Sequence, residues 1–377
     1  MGSGTTRVVV GEFIKGEKNP KIIGVGESET IGLRHGYVVD GDALLTSVKN
    51  AIETAQNSSG IEIKRAFVSV GGVSLRGETS SGSTIISKAD GEVTNLDTSK
   101  ALQDCEDNLN LNNKKIIQTF PLSYRLDGKE VLGNPEGMRG TKLEAKALFI
   151  TYSMKHLEDL ISVLAAAGVE TIDAIASPMA ITQIALSERQ KIVGVALVNI
   201  GHQTTSISVF ENGTPISIHS FSIGSSDITN DIALGLKIPL EVAERFKQEG
   251  VNEDFSKKKL DEIIEARLYD IFESIENHLK KIKRNELLPA GIVFVGGGAN
   301  ILGLEELSRS VLKLPSSIGT SEVFGNSKTK LRDSCWFTAL GLVISGRDSS
   351  GYSGGTLRNL FNDLKNAIKS SVKQLMP

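Results

Sequence analysis

Cysteine is almost absent: Cys105 and Cys335 are the only two in 377 residues, and they lie far apart in sequence. Such usage excludes a disulfide framework and predicts reduced thiols in a cytoplasmic setting. Charge of one sign is also lacking. The net charge is −3, so no bulk attraction draws the chain to nucleic acid or to an anionic membrane, and any such affinity has to come from a local patch. No charged-then-apolar leader opens the sequence, and no apolar run approaches the length that spans a bilayer, so any membrane contact is expected at the surface only. The five histidines, His35, His156, His202, His219 and His278, show no HxxxH spacing and no partner cysteines, and no metal site built from side chains is expected. "GHQTTS" joins a His to a Ser without the setting of a nucleophile elbow. Asp227 and Asp231, four apart on a predicted helix, could pair as acids, although a solvated helix face is the plainer reading.

What is present is an alternation of β-branched runs and apolar-striped helices. A chain of this length, 40% hydrophobic, can bury one large two-lobed core or two ordinary ones. "GSGTTRVVVGEF" reads as a polar turn feeding a strand, and "DGDALLTSVKNAIETAQNSSG" reads as a helix with a Ser/Gly stop. Residues 62–151 run strand, turn, strand, helix (98–109) and strand, and could form a small inserted domain. Asn212-Gly213 supplies the positive φ angles of a tight hairpin. A Gly/Thr turn beside a strand opens each half, at residues 2–6 and 201–205, which suggests two related α/β lobes around a cleft.

Three glycine-bearing turns could carry chemistry. "GSGTTR" and "GHQTTS" offer bare backbone N–H groups and hydroxyls to a phosphate, because glycine lets the chain approach closely. "FVGGGANILG" places three glycines between a buried strand and a helix, where a base or phosphate could lie against the backbone. Each turn alone also reads as ordinary structure, a solvated hairpin or a packing turn. Their order is far more specific than any one of them.

That order resembles the actin/Hsp70/sugar-kinase ATPase superfamily, and within it the chain resembles the FtsA family of bacterial cell-division proteins. The resemblance is carried by "NPEGMRGTKLEAKALFI", "ASPMAITQIAL", "VNIGHQTTSISVFENG", "EIIEARLYDIF" and "LPAGIVFVGGGANILGLEEL", in family order up to about residue 346. It implies an α/β, actin-like two-lobed ATPase fold with an inserted small α+β subdomain of the SHS2 (1C) type and a C-terminal amphipathic helix. The implied division is a first lobe (1A) at 1–61 and 152–191, subdomain 1C at 62–151, a second lobe core (2A) at 192–220 and 291–346, subdomain 2B at 221–290, a linker at 347–356 and the helix at 357–377. It also implies an ATP site, with Mg²⁺ optional. Gly2, Ser3, Gly4, Thr5 and Thr6 match the first phosphate turn, and Gly201, Thr204 and Thr205 match the second. Glu244 and Lys247 match the helix that meets ribose and base, and Gly296, Gly297 and Gly298 match the adenosine loop. Two departures point to binding without fast hydrolysis and leave no residue assigned a catalytic role. Asn199 stands where the family has an Asp before the second turn, and no carboxylate-bearing strand precedes Gly2. A native start further upstream and a trimmed chain are both open readings. His202 and Gln203 replace the usual glycine after Gly201, adding side chains where a phosphate would approach.

The last 21 residues stand apart behind "GRDSSGYSGGT". On a helical wheel Leu357, Leu360, Phe361, Leu364, Ile368, Val372 and Leu375 fall within roughly 120° of arc, flanked by Arg358, Lys365, Lys369 and Lys373. A terminal helix docked on the core is the alternative, but a flexible leash favours a helix lying in the membrane interface. Burial of those side chains has an upper bound near 10–20 kcal/mol before ordering costs, so one copy binds reversibly and several on a polymer hold firmly. The resemblance thus implies an adaptor that binds ATP, assembles into filaments, and tethers the tubulin-like polymer FtsZ, through its C-terminal peptide, to the cytoplasmic face of the membrane at the division septum. A PilM-like pilus-assembly adaptor and a working ATPase or sugar kinase are the alternatives.

Overall fold

In the second lobe, the strand over Val195–Ile200 is apolar at every position but Asn199 and buried on both faces, as a strand at the centre of a sheet is. The computed structural model describes residues 1–14, 19–251, 255–321 and 329–348. The chain opens with an antiparallel pair, β1 (Thr5–Glu12) and β2 (Lys21–Glu29), and a short ribbon of β3 (Leu33–Arg34) and β4 (Tyr37–Val38). Helix α1 (Gly41–Ser59) follows; the Asp40 carboxylate caps it by accepting from Ala43 N–H at 3.0 Å, and Gly60 ends it at φ 72°. Strand β5 (Arg65–Val70) then leads into an inserted unit of β6 (Arg76–Ile85), α2 (Asn95–Asp107), β7 (Lys114–Leu126), β8 (Lys129–Val131) and β9 (Lys142–Ser153). These form a four-stranded sheet in the order β6-β9-β7-β8, with α2 against it and a core of its own that includes Cys105, Leu126, Leu143 and Phe149. Within the expected span 62–151, β5 stands outside that sheet and pairs in parallel with a first-lobe strand, β10 (Glu170–Ala176).

Around β10 lie α3 (Met154–Ala166), α4 (Ser177–Ala185) with Pro178 in its first turn, and α5 (Glu188–Val193). The second lobe is built from β11 (Val195–Ile200), β12 (Thr205–Glu211), β13 (Thr214–Phe221), α6 (Ser225–Leu236), α7 (Leu240–Glu249), α8 (Lys257–Lys281), β14 (Ile292–Val295), α9 (Leu304–Leu312) and β15 (Ser316–Ile318). Its sheet runs β13-β12-β11-β14-β15, with β11 antiparallel to β12 and parallel to β14. Asn212 and Gly213 turn β12 into β13 at φ 51° and 78°. On β11, Val195 and Leu197 join the core shared with the first lobe, and Ala196, Val198 and Ile200 join the core under α6 and α8. Asp227 and Asp231 do not pair: Asp227 accepts from Gly224 N–H at 2.8 Å, and Asp231 takes both ends of the Arg267 guanidinium.

Two findings change the expected division. The final helix α10 (Phe337–Asp348), placed by sequence in 291–346 with the second lobe, packs instead on α4, β1 and β5, because Phe337 and Leu340 complete the first-lobe core. It also extends to Asp348, two residues into the expected linker 347–356; the rest of that linker and the helix expected at 357–377 lie outside the described residues. Between β1 and β5 is a largely apolar cavity of about 630 Å³, bordered by Val8, Val10, Phe67 and Leu342. The chain closes against the first lobe by glycine contact: a Cβ on Gly341 would stand 1.9 Å from the Ala180 carbonyl oxygen. Gly341→Ala is therefore expected to cost about 1–3 kcal/mol in denaturant melts, while Gly41→Ala, with nothing within 4 Å, stays within about 0.5 kcal/mol of the parent.

Candidate functional site

The two Gly/Thr turns have the same internal closure. Gly2 N–H donates to the Thr5 carbonyl at 3.2 Å, and Gly201 N–H donates to the Thr204 carbonyl at 2.9 Å. Each turn feeds the outer hairpin of its lobe, β1-β2 in one case and β12-β13 in the other. The folding of each hairpin thereby aims its turn at the other lobe. Both turns open on one small crevice of about 160 Å³, which Gly2, Ser3, Thr5, Asn199, Gly201 and Thr204 help to line. Gly4, Thr6 and Thr205 stand just behind that wall. Thr6 and Thr30 share a hydrogen bond of 2.8 Å, and the Thr205 hydroxyl donates to the Ile223 carbonyl at 2.8 Å, so both threonines brace their turns.

Glu244, Lys247, Gly296, Gly297 and Gly298 do not line the crevice, and Lys247 is joined to its wall by two hydrogen bonds in series. Lys247 Nζ donates to the Ser225 carbonyl at 3.2 Å, and Ser225 N–H donates to the Gly201 carbonyl at 2.9 Å. Gly296 is forced to be glycine on two counts: its φ is 88°, and a Cβ there would stand 2.2 Å from Asn199 Oδ1. A Cβ on Gly298 would meet Ile200 Cγ2 at 2.3 Å, whereas Gly297 has nothing within 4 Å and leaves its backbone open. The glycine loop is thus packed against the end of β11, beside Asn199.

Lys247 Nζ also meets Thr229 Oγ1 at 2.8 Å and Glu244 Oε2 at 2.7 Å, and Thr229 Oγ1 donates to Glu244 Oε2 at 2.6 Å. Burial alone would raise the Glu244 carboxyl; the hydrogen bonds from Lys247 and Thr229 outweigh it and hold the group below the usual carboxylate range. His202 keeps an exposed edge, yet desolvation against the turns, followed by the Lys247 ammonium, lowers its imidazole pKa and favours the neutral ring. Cys105 and Cys335 are free, and burial pushes their thiols up to about 11 and about 12, out of the reactive range.

Sequence reasoning passed over four contributors. His35, in the β3-β4 turn at φ 49°, donates its N–H to Gln203 Oε1 at 2.9 Å and sets its ring Nδ1 3.0 Å from the Gln203 carbonyl oxygen, a direct tie between the lobes. Gly71 and Gly72 line the crevice, and Thr229 joins Glu244 to Lys247. The one signal was the pair of glycines in "SVGGVS". Among the described residues no His, Cys, Asp and Glu side chains cluster to hold a metal ion, and no carboxylate lines the crevice. A divalent cation carried in with a phosphate would find the Asn199 amide and turn hydroxyls.

The fold is that of the actin-like proteins. The structure superposes on the PilM-PilN type IV pilus biogenesis complex with TM-score 0.69 and 14% identity over 92% of this chain and 96% of that one. It also superposes on MreB 5 of Spiroplasma citri bound to AMPPNP, with TM-score 0.51 and 13% identity over 96% of each chain. The family model for cell division protein FtsA matches residues 196–341, and that for the SHS2 domain inserted in FtsA matches residues 72–151. Cell division protein FtsA of Streptococcus pneumoniae is 30% identical over 85% of this chain and 75% of its own length, and that of Bacillus subtilis is 29% identical over 91% and 81%. The chain belongs to the FtsA family of cell-division proteins.

Removing the cation from the Thr229-Glu244-Lys247 cluster tests its energetics. Lys247→Met is expected to lose about 1–2 kcal/mol at pH 7, limited by the 39% exposure of the Glu244 side chain. Because the Glu244 pKa is depressed in the fold, its contribution is present above the unfolded value near 4.3 and fades as the carboxyl protonates below it. Denaturant melts of the two proteins should therefore stay equally far apart from pH 7 down to about pH 5 and draw together only below about pH 4.

Proposed function

We propose that this chain binds an adenine nucleotide, ATP in the first instance, in the crevice between its lobes, and serves as a membrane adaptor for the division polymer. The observation that carries the reading is the pair of identically closed turns, one from each lobe, facing a single crevice. The turns of residues 2–6 and of Gly201, Thr204 and Thr205 would take the phosphates through their hydroxyls and the main-chain N–H groups that the turn closures leave open. Glu244 and Lys247 would flank the ribose, and Gly296, Gly297 and Gly298 would lie along the adenosine. Mg²⁺ would ride on the phosphates rather than on a protein carboxylate. With Asn199 at the end of β11 and, among the described residues, no carboxylate on the crevice wall, turnover would be slow or absent and the nucleotide would act to set the angle between lobes. The observed arrangement also supports the division proposed from sequence, modified so that α10 belongs to the first lobe.

Filaments would form through the inserted domain and the adjoining lobes, the FtsZ peptide would dock in the subdomain at about 221–290, and the segment 357–377 would lie in the lipid interface at the septum. Among the described residues no helix is long and apolar enough to cross a membrane. Flotation of the full chain with anionic liposomes, against a chain ending at residue 356, tests the adaptor. The full chain is expected to float and the shortened one to sediment while still retaining an FtsZ tail peptide. Equal flotation, or loss of peptide binding by the full chain, contradicts the adaptor. In the same preparations Mg-ATP turnover is expected to match the protein-free background; turnover clearly above it overturns the assignment of no catalytic residue.

A further inference from the structure

The second Gly/Thr turn is fixed to its own lobe and also tied to the other. In its own lobe, the Gly201 and His202 carbonyls accept from Ser225 and Ser226 N–H at 2.9 and 2.7 Å, at the start of α6, and a Cβ on Gly224 would stand 2.7 Å from the Gln203 carbonyl carbon. Toward the first lobe the tie is Gln203: its Oε1 accepts from His35 N–H at 2.9 Å, and its carbonyl oxygen lies 3.0 Å from His35 Nδ1. His35 has little room to follow a moving partner. Its carbonyl accepts from Val73 N–H at 3.0 Å, a Cβ on Gly72 would stand 2.3 Å from that carbonyl oxygen, and the Gly36 carbonyl accepts from the Tyr152 hydroxyl at 3.3 Å. The φ of 49° at His35 is one that glycine adopts freely and histidine only at a cost. A ring is kept there all the same, and it reaches Gln203.

Gly36, Gly71 and Gly72 line the crevice from the first lobe, and Gly201 and His202 line it from the second. At about 160 Å³ it is smaller than the roughly 300–1,000 Å³ of sites that enclose a small ligand. A nucleotide with its phosphates between the turns therefore enters and leaves when the turns part, and the two His35–Gln203 contacts resist that parting. We propose that the His35–Gln203 tie is a latch that sets the rate of nucleotide entry and exit. The proposal rests on the nucleotide reading above and adds a gate to it. The latch closes over an empty cleft and a filled one alike, so it has no preference between the two states to express as affinity. Loosening it speeds passage in both directions and leaves the equilibrium nearly unmoved.

Stopped-flow mixing of the full chain with N-methylanthraniloyl-ATP and Mg²⁺, followed by a chase with unlabelled ATP, tests it in the parent, His35→Gly and Gln203→Met. The first variant suits the left-handed backbone and removes the ring; the second keeps the side-chain length and removes the acceptor. Each is expected to speed both association and release by about three- to tenfold, the effect of one hydrogen bond, while Kd moves by less than about twofold. In the parent, association is expected to level off at the rate of opening as the probe concentration is raised. Variant rates equal to the parent's overturn the inference. Faster release with association unchanged also overturns it, since that marks side chains that hold the nucleotide and not a gate. A parent association rate that rises linearly with probe and never levels off overturns it even if a variant fails to fold. Absence of probe binding to the folded parent instead overturns the nucleotide reading, and the latch falls with it.

Discussion

Everything around the cleft depends on backbone approaching backbone or side chain at glycines. Gly4 against His202, Gly224 against the His202 carbonyl, Gly296 against Asn199 and Gly298 against Ile200 are contacts that any Cβ would break. They bring the two turns, the start of α6 and the loop after β14 to the end of one strand, β11. A sheet centred on β11 supplies the fixed wall, and its alternating residues join the cores on both sides. Rigid elements carry the site and bare loops form its surface, which is how binding residues are held in place by a scaffold.

The lobes are tied together across the cleft. Gln203 is held by His35, and the Arg76 guanidinium, at the start of the inserted sheet, donates to the Ser220 carbonyl at 3.0 Å. A nucleotide in the crevice would therefore act on a joint that is already closed, altering an angle rather than creating an interface. An amide at Asn199 fits such a role, in which occupancy matters more than turnover.

Local chemistry was legible in the sequence and long-range packing was not. Asn212-Gly213, the Gly60 stop and the glycines of residues 296–298 carry their conformation in their own residue types, and the structure has them in turns of that kind. The inserted sheet was legible as alternating strands, but its edge was not: β5 reads as a strand just ahead of β6, and only pairing with β10 assigns it to the first lobe. Helix α10 misled for the same reason, since an apolar helix does not state which lobe it covers. At the cleft, the turns announced themselves through glycine and threonine. The His35 tie did not, because a histidine 168 residues from its partner leaves no local pattern. Glu244 and Lys247 were readable as a pair, while Thr229, which binds both, lies on another helix.

The central claim is that main-chain amides from both lobes converge on one nucleotide. Hydrogen exchange of the full chain with and without Mg-ADP tests it most directly, because exchange reports backbone N–H groups peptide by peptide. The account predicts added protection at residues 2–6, at 201–205 and at 296–298 together. Protection confined to one lobe, or absent from both turns at saturating nucleotide, would contradict it.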